Sequence, residues 1–214
     1  KRGGARADLP VIRHAKARFR LIDGADAGHR DYIWLKRMAE DNGWNAYIDD
    51  RSDHMACLGV WGPNARKTIQ AIADDPSAWD EENFPFAATR QLTLKGIPVE
   101  AFRISYVGEQ GWELHVAFSY GLSLWDLVYA QGATPVGIET YANSRRMEKS
   151  LRLQNADLLT EYNLYEAGLS RPVVKQADFH GKAPYLEQRA LEHQAAYLCN
   201  LTMTDNIDSQ DIAP

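Results

Sequence analysis

Eight consecutive residues, Tyr106-Val-Gly-Glu-Gln-Gly-Trp-Glu113, hold two aromatic rings and two carboxylates around a pair of glycines. The surrounding stretch, residues 103–116, reads as strand, tight turn, strand. Ile104 closes an extended run, Gly108 and Gly111 bracket the turn, and alternation resumes from Glu113 to Val116. A plain hairpin needs the glycines but neither the acids nor the rings. An aromatic wall with a carboxylate beside it suits a flat, nitrogen-rich heterocycle: the carboxylate accepts from amino and ring N–H groups while the rings cover its face. Taken singly, Tyr106 reads as a strand-end core tyrosine and Glu113 as a solvent-facing strand residue; together, at this spacing, they point to a site. Glu109 reads as a turn residue and Trp112 as packing.

Other chemistries lack a matching pattern. His14, His29, His54, His115, His180 and His193 are scattered, and no H-x-x-x-H or C-x-x-C occurs, so the spacing indicates no metal centre. Ser105 has no partner signature for a nucleophilic triad. No G-x-G-x-x-G is present, so no flavin or nicotinamide site is expected within these residues. The net charge of −5 argues against a nucleic-acid partner. No apolar run approaches the roughly 20 residues of a membrane span, and no signal peptide opens the chain. Cys57 falls in an apolar strand and reads as a buried thiol; Cys199 is far from it in sequence. This usage suits reduced, intracellular surroundings, cytoplasmic or, in a eukaryote, the mitochondrial matrix.

The elements that must position the Tyr106–Glu113 segment follow from periodicity. Residues 11–12 and 19–22 form a hairpin. Asp26 caps a helix over residues 28–42 that ends at Gly43. Residues 55–61 alternate as a strand, and Pro63 opens a helix reaching Ala73. Residues 91–94 and 97–104 pair as a second hairpin around Lys95-Gly96. A helix over residues 120–130 turns Leu124, Trp125 and Val128 inward and stops at Gly132. Helices over residues 141–151 and 183–193 and a strand over 197–203 follow. The order strand, helix, strand, strand, strand, helix over residues 55–130 implies an α+β fold with antiparallel sheets, packed helices and a split β-α-β core.

The 103–116 stretch resembles the S-Y-T-G-E-x-G-[FYW]-E-[LIV] motif of the aminomethyltransferase (glycine-cleavage T-protein) family, which binds tetrahydrofolate. Four further segments agree in order. Gly3-Gly-Ala-Arg-Ala-Asp-Leu9 resembles G-G-x-x-x-D-[LI]; Leu58-Gly-Val-Trp-Gly-Pro-Asn-Ala65 resembles [LV]-x-[LV]-x-G-P-x-[AS]; Glu166-Ala-Gly-Leu169 and Asp178-Phe-His-Gly-Lys182 resemble E-A-G-L and D-F-x-G-[KR]. Within the family, the Arg-Phe-Arg-Leu-Ile and Arg-Asp-Tyr-Ile-Trp-Leu segments are most similar to the folate module of dimethylglycine and sarcosine dehydrogenase-like flavoproteins. The resemblance implies the ferredoxin-like T-protein fold, a folate-binding module over residues 1–197 that is partial at its N-terminus, and the start of a C-terminal β-domain over residues 198–214. It implies an internal piece of a longer polypeptide, incomplete at both ends.

The resemblance also implies roles. Asp8, by its residues alone a turn or cap aspartate, matches the family's essential carboxylate, an acid–base and electrostatic group near the reacting folate nitrogen. Tyr106 and Glu113 match its pteridine-contacting pair. In the segment matching A-R-D-x-L-R-x-E, Arg146 and Glu148 fall on the second arginine and the glutamate and read as structural. The first arginine, a folate-site residue, falls on Ala142. Tyr141 offers a stacking surface in its place, and Arg145, about one helical turn from Ala142, offers a cation. An expected asparagine falls on Gly24, and an expected tryptophan on Arg171, which with Lys175 offers a cation for an acidic folate tail. The implied function is tetrahydrofolate-dependent one-carbon transfer. The one-carbon donor is a small N-methylated amine such as dimethylglycine or sarcosine, oxidised by an FAD-bearing domain or subunit outside this chain. The alternatives are a stand-alone O- or S-demethylase and a non-catalytic folate-binding module.

Overall fold

A computed structural model describes residue 4 and residues 8–24, 26–171 and 173–202. Most of the Gly3–Leu9 motif lies outside the described residues. So do Met203, the end of the last expected strand, and residues 203–214 of the expected C-terminal β-domain. The chain divides into two compact units, one of residues 9–149 and one of residues 1–8 with 150–214. The fold is α+β, with two antiparallel sheets and several helices.

In the larger unit, β1 (Val11–Ala15) and β2 (Arg18–Leu21) form the first hairpin, with an irregularity between Arg13 and Ala15. Helix α1 (Gly28–Asp41) ends where Asn42 folds its side-chain amide back onto the Met38 carbonyl at 2.7 Å. Its N-cap is Ala27, one residue past the expected Asp26, and Ala27 has no side-chain cap to offer. Four further strands follow: β3 (Met55–Trp61), β4 (Thr89–Leu94), β5 (Ile97–Phe102) and β6 (Gly111–Ala117). They pair in the order β3-β6-β5-β4, all antiparallel. Helix α2 (Ala65–Gln70) carries the chain from one edge strand to the other, and the later strands fill the space between. It is shorter than its sequence suggests at both ends. Asn64 is its N-cap, with Pro63 one residue before. Beyond Gln70 the Ile72 carbonyl accepts from Lys95 N–H at 3.0 Å and Ala73 bridges to Leu94, which draws the chain out of the helix toward the β4–β5 turn.

Helix α3 (Gly121–Tyr129) packs through Leu124 and Val128, one turn apart and buried. Trp125, expected inward, is 46% exposed: one residue past Leu124, it lies about 100° around the helix from the buried stripe. The segment expected as a helix over 141–151 is π-helical over Thr140–Arg145 and runs into a single α-turn, α4 (Arg146–Glu148).

The four-stranded sheet has two unlike faces, set by the period-two alternation of its strands. Val60, Leu94, Ile97, Val99, Ala101, Trp112, Leu114 and Val116 turn to one side and form the core with Ile69 of α2, Leu124 of α3, Trp79 and Phe84. Trp79 and Trp112 meet edge to face at 5.4 Å. Trp112 is thus packing, as its sequence context implies.

The smaller unit holds α5 (Lys182–Arg189) and a compact loop stack around Leu158 and Ala167. Its Glu166-Ala-Gly-Leu169 motif has a local explanation. Asn163 Oδ1 accepts from the N–H groups of Tyr165 and Glu166 at 2.8 and 3.0 Å, and Glu166 Oε2 accepts from Asn163 N–H at 2.8 Å. Gly168 then takes φ +66° beneath the Arg152 guanidinium, where a Cβ would lie 2.3 Å from Nη2. The expected strand at 197–203 is not formed over its described residues 197–202. Leu198 N–H donates to the Glu166 carbonyl at 2.9 Å, but no ladder accompanies that bond.

Candidate functional site

The other face of the four-stranded sheet carries the polar residues. β3 and β6 pair along their full length, with Cys57 opposite His115, Gly59 opposite Glu113 and Trp61 opposite Gly111. β5 adds Glu100 opposite His115 and Phe102 opposite Glu113. Opposed residues project to the same side, so these groups gather on one surface. Glu100 is buried there; Arg20 of β2 ion-pairs with its carboxylate, and His14 Nε2 of β1 lies 3.4 Å from the other oxygen. The β1–β2 hairpin thus supplies the charge that a buried carboxylate requires.

Beside this network stands an aromatic group. Gly59 gives Trp61 room to fold over β3, since a Cβ there would lie 2.0 Å from the indole. Trp61 Nε1–H donates to the Ile104 carbonyl at 2.9 Å. Tyr141 of the π-helix stacks on Trp61 at 5.4 Å and 17°, and Tyr106 packs against Tyr141 at 5.3 Å. Burial pushes the Tyr141 hydroxyl up to about 12, reinforced by the charge of Glu113 and then by Tyr106 and Cys57. Tyr141 therefore stays a neutral donor, within electrostatic reach of Glu113.

The segment that carries Tyr106 is not the tight turn its glycines imply. β5 leaves β6 after Phe102, because Arg103 takes over a different set of partners. Its N–H donates to the Ala88 carbonyl and its carbonyl accepts from Ala87. Its guanidinium donates to both Glu81 oxygens at 2.7 and 2.8 Å and to the Phe84 carbonyl. Residues 103–110 form a wide loop, pinned at one end by Trp61 on Ile104 and at the other by Gly62 N–H on the Gln110 carbonyl at 2.8 Å. This pinning sets Tyr106 over Tyr141.

The structure thus brings together Tyr106, Tyr141 and Glu113 of the residues singled out in the sequence. Asp8 and Arg171 belong to the smaller unit, where both are exposed. Arg171 is held through its backbone, its N–H donating to the Tyr185 hydroxyl at 3.1 Å. Arg146 is buried and donates to the Ala142 carbonyl at 2.7 Å, a structural role. Arg145 points to solvent and pairs with Glu148 at 3.1 Å. Cys57, expected as a buried thiol, is exposed. The protein packed against its sulfur nonetheless desolvates the thiolate and, with the Glu113 charge, raises the thiol to about 12.

Trp61, Gly59 and His115 are the site residues that local pattern does not single out. Trp61 sits in the Leu58–Ala65 motif, and its alternation with Cys57 marks a shared face. What that face meets depends on the β3–β6 register, set between segments remote in sequence. Among the described residues no helix is long and apolar enough to cross a membrane.

The family model described as the GCVT N-terminal domain matches residues 1–177. Human mitochondrial dimethylglycine dehydrogenase is 33% identical over 215 residues, covering 98% of this chain and 24% of its own length. The aminomethyltransferase of Paraburkholderia phymatum is 30% identical over 183 residues, covering 85% of this chain and 49% of its own. Mouse mitochondrial sarcosine dehydrogenase is 29% identical over 213 residues, covering 92% and 22%. The chain spans less than half the length of each.

Proposed function

This chain belongs to the GCVT N-terminal domain family, that of the aminomethyltransferases, and from that membership we propose that it is a tetrahydrofolate-dependent one-carbon transfer module. The observation that carries the proposal is the aromatic group of Trp61, Tyr141 and Tyr106 set beside Glu113. A reduced pterin keeps a flat pyrimidine ring and presents an amino group and ring N–H donors, which this surface is equipped to cover and to hold.

In this reading Glu113 accepts from those donors, with the added strength of a charged acceptor. His115 Nε2, 3.2 Å from Glu113 Oε2, orients the carboxylate. Tyr106 and Tyr141 cover the ring face, and Tyr141 keeps its proton throughout. Tetrahydrofolate supplies the nucleophilic nitrogens that take up the one-carbon unit, and 5,10-methylenetetrahydrofolate is the product. Asp8 is proposed as the acid–base group of the transfer, and Arg171 as a cation for the acidic folate tail. The dehydrogenases among the relatives support an N-methylated amine donor, dimethylglycine or sarcosine, and an FAD domain or subunit outside this chain. Both are named mitochondrial, which favours the matrix over the cytoplasm for a eukaryotic source.

The test is anaerobic calorimetric titration of tetrahydrofolate into the chain and into Glu113→Gln, with circular dichroism showing both folded. A hydrogen bond to a charged group contributes about 1.5–3 kcal/mol, so the variant is expected to bind roughly tenfold to a hundredfold more weakly. Equal affinities, or no binding by the folded wild type, would overturn the pterin site. Asp8→Asn is expected to reduce transfer in the full polypeptide far more than folate affinity; equal losses in both would remove its catalytic role.

A further inference from the structure

The same polar face holds a second arrangement, which needs no folate and shares Glu113 and its partner His115 with the proposed pterin site. Cys57 Sγ, a Glu113 carboxylate oxygen and His115 Nε2 all lie within 4.8 Å of one another. Sγ and the carboxylate approach the same ring nitrogen, at 3.7 and 3.2 Å. That shared atom decides what the cluster can do. A nucleophilic relay needs its thiol and its carboxylate on opposite nitrogens of the imidazole, one taking the thiol proton and the other steadied by the acid. Here a single nitrogen faces both, so a relay does not form.

Convergence of a thiol, an imidazole nitrogen and a carboxylate on one point is instead the donor set of a borderline-soft divalent cation. The spacing agrees. Bonds of about 2.3 Å to sulfur and about 2.0–2.2 Å to nitrogen and oxygen, at tetrahedral angles, put S and N about 3.6 Å apart and N and O about 3.4 Å apart. The corresponding separations here are 3.7 and 3.2 Å. Charge agrees as well: a thiolate and a carboxylate neutralise a dication, and the histidine stays neutral. Arg20, the cation whose field reaches Cys57, is tied to Glu100. Burial agrees too. His115 is 6% exposed and fixed on a paired strand, whereas Cys57 is open to solvent, which leaves an entry path and a fourth position for water.

We propose that Cys57, His115 and Glu113 form a three-ligand site for a divalent cation of the Zn²⁺ class. The rival is a hydrogen-bonded His115–Glu113 pair with Cys57 merely adjacent. The experiment is titration of Co²⁺ alone into the chelator-stripped chain, read by absorbance. The expected result is a thiolate-to-cobalt charge-transfer band with the strong visible bands of a four-coordinate ion, abolished by Zn²⁺. Cys57→Ser should lose the charge-transfer band and Cys199→Ser should keep it. Losing even a partner behind a metal ligand weakens binding about tenfold to a hundredfold, so His115→Gln should weaken Co²⁺ by at least about tenfold. A second readout needs no variant: Zn²⁺ should slow alkylation of Cys57 and leave Cys199 unaffected. A band that survives Cys57→Ser, no band in the folded wild type, or alkylation of Cys57 indifferent to Zn²⁺ would overturn the site in favour of the rival. Because no folate enters the experiment, its failure is read apart from that of the pterin site.

Discussion

Trp112 and Glu113 are neighbours in the chain and face opposite ways. Trp112 goes down into the apolar core against Trp79 and Phe84; Glu113 goes up to His115, Cys57 and the aromatic group. The same one-residue step separates Val60 from Trp61 on β3 and Ala101 from Glu100 on β5. A strand with period two lets one ladder of backbone hydrogen bonds serve both faces. Stability and chemistry then reside in alternate residues of the same elements, and each can be changed with little effect on the other.

That separation can be broken or sharpened by substitution. Trp112→Ala should cost about 3–5 kcal/mol, measured by urea denaturation, because a fully buried ring leaves a cavity. A loss below about 1 kcal/mol would show that the apolar face is not the core. Gly59→Ala, on the polar face, should be the exception that locates the floor of the aromatic group. Its methyl would overlap the Trp61 ring, so a cost of about 1–3 kcal/mol and a shift in tryptophan fluorescence are expected. An unchanged emission spectrum would mean that Trp61 does not lie over Gly59. Glu113→Gln should leave the unfolding free energy within about 1 kcal/mol of wild type while weakening folate binding. A large loss of stability would show that the polar face is also structural.

The smallest effect expected is in pH. Tyr141 is raised from 10.0 to about 12, and Cys57 from 9.0 to about 12. Both hold their protons more tightly folded than unfolded, so their contribution is complete below about pH 9 and is lost as pH rises toward 12. Tyr141→Phe should flatten part of that decline in a pH series of thermal melts. In Glu113→Gln the Tyr141 phenolate should appear at lower pH by ultraviolet titration, since Glu113 is the second cause of its shift. A phenolate that appears at an unchanged pH would separate the two groups.

Much of the sheet was legible in sequence. β3 falls on the residues its alternation predicts, and the β4–β5 hairpin turns at Lys95-Gly96 as expected. The resemblance to the aminomethyltransferases matched the family. What local pattern could not supply was direction and partner. Trp125 is apolar on a helix, yet only Leu124 and Val128 point to the core. Residues 197–202 read as a strand by residue type, yet a strand needs a neighbour, and one backbone bond to Glu166 is not a ladder. Gly108 and Gly111 signalled a turn, but the buried Arg103 and its partners at Glu81 and Phe84 widened it. Cys57 and His115 lie 58 positions apart, and only strand register joins them.

The π-helical turn of Thr140–Arg145 makes the stacking of Tyr141 on Trp61 a matter of counting as well as of identity. A π-turn holds about one residue more than an α-turn, and each α-helical residue advances about 100°. Removing any one residue between Thr140 and Arg145 would let the segment close into an ordinary α-turn, keeping the flanking turns in direction while losing the widened turn from which Tyr141 reaches Trp61. A homologue one residue shorter here and a homologue lacking the tyrosine would lose the same stacked pair, the first through length and the second through composition.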